Sequence, residues 1–143
     1  MAIQRISNSL ARKANQLATF EEIPLIFPVA SLQPYDSAQN KNTIFRQGNV
    51  CFLVLDLYNS SSSNVAAWTH FVHIPDSYLG SREIVNTLSC RRVYNVTDGS
   101  IIRGYTQIFY TMNDATLSHY HMQTSFAFPA KKRVTYSVMF FIK

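Results

Sequence analysis

The sequence predicts an all-β fold, a β-sandwich of jelly-roll or Greek-key type, with a short helix or extended arm at the N-terminus. Two runs rich in β-branched and aromatic residues, at 42–57 and 133–143, contain no proline, and such runs are typical of strands. Turn signals separate further apolar runs between them, which indicates roughly eight strands in one domain. Because no helical pattern separates these runs, a parallel α/β sheet is not expected.

The first part of the domain is predicted to contribute little to the sheet. Residues 21–24 contain two glutamates and a proline and are interpreted as a junction. Residues 25–32 are apolar, but Pro28 restricts them to an edge strand. Residues 33–42 carry Pro, Asp, Ser and Asn, which together predict a loop.

The strongest strand prediction covers residues 50–58, and a shorter strand at 43–45 precedes it. The turn between them contains Gly48, which can adopt a positive φ without steric cost. In a strand, alternate residues share a face. One face would carry Cys51, Leu53, Leu55 and Leu57. The other face is also partly apolar, which indicates a strand that is central or lies between the core and an interface.

The remaining strands follow at intervals bounded by turn residues. They are predicted at 66–74, 91–96, 101–112, 117–128 and 133–142. Residues 97–100, Thr-Asp-Gly-Ser, form the strongest turn signal of the chain, and Gly104 is interpreted as a β-bulge inside its strand. Residues 78–90 are ambiguous, with a strand over 84–88 as one interpretation.

A length of 143 residues predicts one main domain, which we assign to residues 23–143. Residues 1–22 differ from it, because apolar residues recur there at helical spacing. These residues are Ile3, Ile6, Leu10 and Leu17. A helix this short is marginal in water on its own. Two interpretations stay open: an attachment helix that packs on a neighbour, and a frayed terminal arm.

The charge and composition favour a protein that interacts with other proteins. The net charge is +5, but Lys and Arg are scattered, with clusters only at 91–92 and 131–133. Since a continuous basic stripe is missing, no nucleic acid is expected as a partner. No apolar run reaches the ~20 residues of a membrane span. Only 15% of the residues are charged and eight are Tyr, a combination typical of surfaces that meet another protein, so homo-oligomerisation is expected.

The two cysteines, Cys51 and Cys90, lie in apolar or strand-like surroundings. Buried thiols are the simpler interpretation, because Cys behaves as a small apolar residue in cores. A disulfide between them stays open, since two cysteines do not define a framework.

Three segments carry a family resemblance: NTIFRQGNVCFLVLDL, AAWTHFVHIPDSYLGSREI and RVTYSVMFFIK. They resemble the C-terminal head domains of tailed-phage virion appendages, such as receptor-binding, baseplate and fibre proteins. In that group a short strand, a basic residue and a Gly-Asn type of turn often precede a long apolar strand. The resemblance covers residues 42–143. It is incomplete, because residues 79–82 lack the proline that the group often has soon after the aromatic residue, here Tyr78.

The resemblance implies a β-sandwich that assembles as a homotrimer on a virion. It also implies that the N-terminal arm binds other virion proteins. The head would act in particle assembly or in attachment to a host-surface glycan. The alternative is a cellular β-sandwich module that binds a carbohydrate or another small ligand, and a monomeric head would favour that alternative.

His119 and His121 form the most distinctive local motif. Residues i and i+2 of a strand point to the same side, so both imidazoles would project from one face, with Gln123 next along it. Three such pairs around a trimer axis would offer six nitrogens to a transition metal, as in some phage spike and fibre proteins that the chain resembles. Two solvent-facing histidines are the simpler interpretation, and no other cofactor is expected. His70 and His73 would face opposite sides of a strand and make a poor metal pair.

Four aromatic residues are candidates for a carbohydrate platform. They are Trp68, Tyr35, Tyr58 and Tyr120. An aromatic ring offers a large apolar surface for a sugar ring, while nearby polar groups bind its hydroxyls. Tyr35 and Tyr58 flank polar loops, where binding residues concentrate. For each of the four, a place in the core is the simpler interpretation.

The sequence contains no catalytic constellation that we recognise, and a non-enzymatic protein is expected. Most aspartates fall at predicted turns, where Asp has a backbone role. Asp56 is the exception: it lies inside a strand between Leu55 and Leu57, and we expect it to pair with an Arg across the sheet. The sequence has neither a Gly-x-Ser-x-Gly elbow nor a glycine-rich phosphate loop.

Overall fold

The computed structural model describes residues 7–11, 21–35, 42–75, 84–89, 92–111 and 119–142. These residues form one short helical segment at 7–11 and eleven strands. The strands are β1 Glu21–Pro24, β2 Leu32–Pro34, β3 Thr43–Gln47, β4 Val50–Asn59, β5 Val72–Pro75, β6 Ile84–Ser89, β7 Arg92–Asn95, β8 Ile101–Arg103, β9 Thr106–Thr111, β10 His119–Thr124 and β11 Arg133–Ile142. The prediction of an all-β sandwich is confirmed.

The strands form two antiparallel sheets. The larger sheet has the order β1-β3-β4-β11-β7-β8, with β2 also paired to β4 and β6 also paired to β11. The smaller sheet has the order β5-β10-β9. The two longest strands, β4 and β11, pair along most of their length at the centre of the larger sheet. They are the two proline-free runs of the sequence, and their pairing joins distant parts of the chain.

The core lies between the sheets and is built by alternation along the strands. On β4 the predicted inner set is fully buried: Cys51, Leu53, Leu55 and Leu57. On β11 every second residue from Val134 to Ile142 is buried. Phe126, just after β10, packs edge-on against Tyr136 of β11 with ring centroids 5.8 Å apart, so the two sheets share one core. Each large aliphatic side chain buried there contributes about 1.5–3 kcal/mol to the free energy of folding.

The predicted strand at 101–112 is two strands in two different sheets. β8 pairs with β7 in the larger sheet, whereas β9 pairs with β10 in the smaller sheet. The chain crosses between them at Gly104, where an added Cβ would lie 2.6 Å from Cδ1 of Phe126 and 2.8 Å from Oγ of Ser125. The glycine is therefore required by a close crossing of the chain, and the prediction of a bulge is wrong.

The predicted strand at 66–74 is also interrupted. Only β5 belongs to a sheet, and Val65 forms an isolated bridge with Phe128. Between them Trp68 has a φ of 64°, which lies outside the strand region. The segment still follows β10, because the N–H of Phe71 donates to the carbonyl of Met122 over 3.0 Å.

The N-terminal boundary differs from the prediction. β1 begins at Glu21, so the proposed division after residue 22 falls inside a strand of the head. Residues 25–32 form no continuous strand; Ile26 only bridges His73, because the nearby prolines lack the N–H that a ladder requires. Leu10, in the helical segment, is exposed. Ile3, Ile6, Leu17 and Cys90 lie outside the described residues.

Candidate functional site

Asp56 and Arg133 form an ion pair on the outer face of the larger sheet. Arg133 of β11 is the cross-strand partner of Tyr58, which lies two residues after Asp56 on β4. Asp56 and Tyr58 share a face of the strand, so the guanidinium of Arg133 lies diagonally opposite Asp56. Nε and Nη2 of Arg133 donate to Oδ1 and Oδ2 of Asp56 over 2.8 and 2.7 Å. Asp56 is fully buried, and its hydrogen bond raises the pKa of Arg133. The expectation that Asp56 pairs with an Arg across the sheet is confirmed.

Two of the predicted carbohydrate residues, Tyr35 and Tyr58, lie beside this ion pair. The guanidinium carbon of Arg133 lies 4.0 Å from the ring centroid of Tyr35, a cation–π contact. Tyr35 and Tyr58 meet edge-on with centroids 6.3 Å apart. The N–H of Tyr35 donates to the carbonyl of Asp56 over 2.8 Å, and Asn42 forms two more bonds with the Asp56 backbone. The contacts account for both rings as parts of a cluster that holds β2 against β4.

Trp68, the third candidate, forms an exposed aromatic pair with Tyr105. The two rings meet edge-on with centroids 5.9 Å apart. Trp68 is 48% exposed and Tyr105 is 46% exposed, so neither ring serves mainly as core. Tyr105 was not among the predicted site residues. The sequence offers one signal for Tyr105, its position next to Gly104. Interpreting Gly104 as a bulge gives no reason to place Tyr105 near Trp68.

The backbone fixes this aromatic pair from both sides. The N–H of Trp68 donates to the carbonyl of Thr124 over 2.8 Å. The N–H of Tyr105 donates to Oγ of Ser125, and the N–H of Ser125 donates to the carbonyl of Tyr105, both over 2.9 Å. Both rings are thus attached to the end of β10, and Gly104 lets the chain approach closely enough for these bonds.

Polar side chains continue from the aromatic pair along the outer face of the smaller sheet. On β10, Met122 and Thr124 face the core, so His121 and Gln123 lie on the opposite face of the sheet by alternation. Gln107 of β9 is the cross-strand partner of Gln123, and Nε2 of Gln123 donates to Oε1 of Gln107 over 3.0 Å. We call this surface, with Trp68, His70 and Tyr105, the small-sheet face.

Three imidazoles meet on the small-sheet face. The ring centroid of His121 lies 4.5 Å from that of His70 and 4.6 Å from that of His73. The prediction that His70 and His73 face opposite sides is wrong, because His70 precedes β5 and does not follow strand alternation. His73 is the cross-strand partner of His121, which brings all three rings together.

The predicted metal site between three subunits stays a prediction, because only one of its two histidine side chains is described. His121 is 4% exposed, and its ring packs against His70 of the same chain. The side chain of His119 lies outside the described part of the chain. Among the described residues, no group of three His, Cys, Asp or Glu side chains is arranged to hold a metal ion.

Tyr120, the fourth carbohydrate candidate, belongs to the core. It lies on the inner face of β10 with Met122 and is buried. A buried ring offers no surface to a sugar, so the prediction of a binding role for Tyr120 is wrong. By the alternation of β10, Tyr120 lies on the core side of the sheet and His121 on the other.

The outer face of the larger sheet carries an apolar patch at the end opposite to Asp56. Its members are Phe45, Val50, Phe52, Met139 and Phe141. Phe52 is the cross-strand partner of both Phe45 and Met139, and directly opposed residues share a face. Val50 is 39% exposed and Phe52 is 40% exposed. The sequence indicated a second apolar face on β4, and the pairing with β11 extends it across three strands.

Comparisons with known proteins give no match. No family model, no curated protein and no solved structure is significantly similar to the chain. The described residues contain no helix that is both long and apolar enough to cross a membrane. The resemblance to phage appendage heads therefore stays a prediction.

Proposed function

We propose that the chain is a non-enzymatic virion structural protein, an appendage subunit of fibre, baseplate or receptor-binding type. In this proposal the β-sandwich head self-associates as a homotrimer, and the N-terminal arm binds other virion proteins. The subunit acts in assembly of the particle and in attachment to the host surface.

The apolar patch on the larger sheet is the observation that carries the proposal. β4 and β11 complete the core with their inner faces, so the outer Val50 and Phe52 add little to the fold of one subunit. Contiguous exposed apolar surface of this kind marks protein interaction sites. Removing it from water contributes roughly 25 cal/mol per Å², which favours association of one subunit with another.

The charge of the same sheet face supports association between identical subunits. Asp56 and Arg133, at the other end of this face, neutralise each other, with the carboxylate fully buried. Identical surfaces that carry net charge repel each other, and the Asp56–Arg133 pair adds no net charge to this face. Leu10 in the helical segment is exposed. A helix this short is stabilised mainly by packing of its apolar side chains, which supports docking of the arm on a partner.

The test is the presence of the protein in virus particles. Particles of the virus that encodes the chain are purified on a density gradient, and their proteins are identified by mass spectrometry. We expect the chain in the particle fraction, and we expect antibodies against the head to label the particle surface in electron micrographs. Recovery of the chain only from the soluble fraction of the infected cell would contradict the proposal.

A further inference from the structure

We propose that the small-sheet face binds a neutral glycan. Trp68 and Tyr105 form the stacking platform, and Gln107 and Gln123 bind the sugar hydroxyls. As a means of host attachment this inference rests on the proposed function, but the binding itself requires one subunit only.

Trp68 is held in an exposed position at a conformational cost. Its φ of 64° lies in the left-handed region, which bulky side chains rarely adopt. The bond from its N–H to the carbonyl of Thr124 and the edge-on contact with Tyr105 keep it there. Backbone strain of this kind concentrates at binding sites and ligand clamps. At 48% exposure the indole is not a core side chain, so this backbone conformation holds the ring partly in water.

Tyr105 is fixed before any ligand arrives. Two backbone hydrogen bonds tie it to Ser125, and the tight packing of Gly104 on Phe126 fixes the chain just before it. A platform that is already ordered loses little conformational freedom on binding. The exposed faces of the pair offer the apolar, weakly negative surface on which the C–H groups of a sugar ring stack.

Gln107 and Gln123 supply the donors and acceptors that sugar hydroxyls require. Gln107 follows Tyr105 by two residues, about 7 Å in extended chain, and Gln123 lies opposite Gln107 across β9 and β10. Each amide has two N–H donors and an oxygen that accepts twice. Their mutual bond of 3.0 Å uses one site of each. The pair therefore retains donor and acceptor positions and can bind a hydroxyl in either role.

The chemistry of the face selects a neutral ligand. Its described side chains are aromatic, imidazole, amide and hydroxyl groups, and none of them carries a fixed charge. Arg133 is instead the first residue of β11 in the larger sheet, and Lys131 and Lys132 directly precede it. An acidic glycan or a nucleic acid would require cationic partners on the face. A polyhydroxylated neutral sugar matches the alternation of apolar rings and amides.

The chain contains a single tryptophan, so intrinsic fluorescence reports on Trp68 alone. The full chain is titrated with a panel of neutral tetrasaccharides built from glucose, mannose, xylose and N-acetylglucosamine, with excitation that tyrosine does not absorb. We expect a saturable spectral shift with at least one of them, at a Kd on the order of 1 mM. Because the signal belongs to each subunit, it does not depend on the oligomeric state.

Matched variants locate the binding. Tyr105→Ala keeps the reporter and is expected to weaken the affinity about tenfold, as loss of a central aromatic anchor does, and Gln107→Ala is expected to weaken it as well. Tyr94→Ala is the control, because Tyr94 is equally exposed but lies on β7 in the larger sheet. Absence of a shift with every sugar overturns the proposal, and so does an equal effect of Tyr94→Ala and Tyr105→Ala. A shift with an acidic tetrasaccharide alone overturns the neutral ligand class.

Discussion

Asp56 is a buried carboxylate on a β-strand, and Arg133 makes that position tolerable. A charge removed from water costs several kcal/mol unless a partner compensates it. The guanidinium does so with two parallel hydrogen bonds, a geometry that Lys cannot reproduce. Tyr35 covers the other side of the guanidinium. The cluster thereby joins β2, β4 and β11 at one end of the larger sheet.

Arg133→Ala should destabilise the fold strongly. The variant leaves the carboxylate of Asp56 buried without its guanidinium, which costs about 3 kcal/mol. Urea unfolding measures the loss of unfolding free energy, and Arg103→Ala, an exposed arginine on β8, serves as the control with a change of about 0.5 kcal/mol or less. The double variant Asp56→Asn, Arg133→Ala should lose less than the two single losses combined. Simple additivity would show that the pair is not coupled.

Asp98 should make the stability depend on pH in the acidic range. Its pKa falls from the ordinary 3.8 to about 2, first because of hydrogen bonds from the side chain and N–H of Ser100 and then because of Lys132. A folded-state pKa below the unfolded value means that this stabilisation is complete above pH 4 and is lost as the pH falls toward 2. Urea unfolding of the wild type and of Asp98→Asn between pH 2 and 5 measures it. The difference between them should shrink on acidification, and a constant difference would contradict the assignment.

At the scale of the elements, the sequence predicted what local pattern controls. Alternation and the absence of proline placed β4 and β11 nearly to the residue, and the turn at 97–100 is present, with Gly99 at a φ of 74°. The break between β8 and β9 could not be predicted, because its cause is the side chain of Phe126, which is distant in sequence. The prediction of a continuous strand at 66–74 is wrong for the same reason, because the hydrogen bond that fixes Trp68 is accepted by the distant carbonyl of Thr124.

The candidate sites follow the same rule. The outward position of Gln123 beside His121 could be predicted from the period of one strand. The meeting of Tyr35, Tyr58 and Arg133 required the register of three strands, which one sequence does not reveal. The contact of Trp68 with Tyr105 could be predicted only from the crossing of the chain at Gly104. In each case the missing information was a contact between segments far apart in the chain.

Gly104→Ala should destabilise the crossing between the sheets. The added methyl group would overlap Phe126 and Ser125, and overpacking of this kind costs about 1–3 kcal/mol. Gly48→Asn is the control: Gly48 has a φ of 58° with no atom near its Cβ position, and Asn tolerates that conformation. Thermal unfolding should show a clear loss for the first variant and a small one for the second. Equal losses would mean that space at Gly104 is not limiting.

At the scale of the molecule, the two sheets present two different outer surfaces. The larger sheet carries the apolar patch at one end of its outer face and a neutralised ion pair at the other, which suits contact with another subunit. The smaller sheet carries an exposed aromatic pair and amides, which suit a glycan. In a trimer the three glycan sites would act together, and linked weak sites gain avidity without new contacts. Self-association is thus the property on which the proposed function depends.

The absolute molar mass in solution tests that property most directly. One subunit has a mass of 16.3 kDa, and light scattering in line with gel filtration at low micromolar concentration should give three times that value. Phe52→Ser should lower the mass, whereas Tyr105→Ser, on the smaller sheet, should not. A mass of one subunit for the wild type would contradict the account and would favour a single β-sandwich binding module.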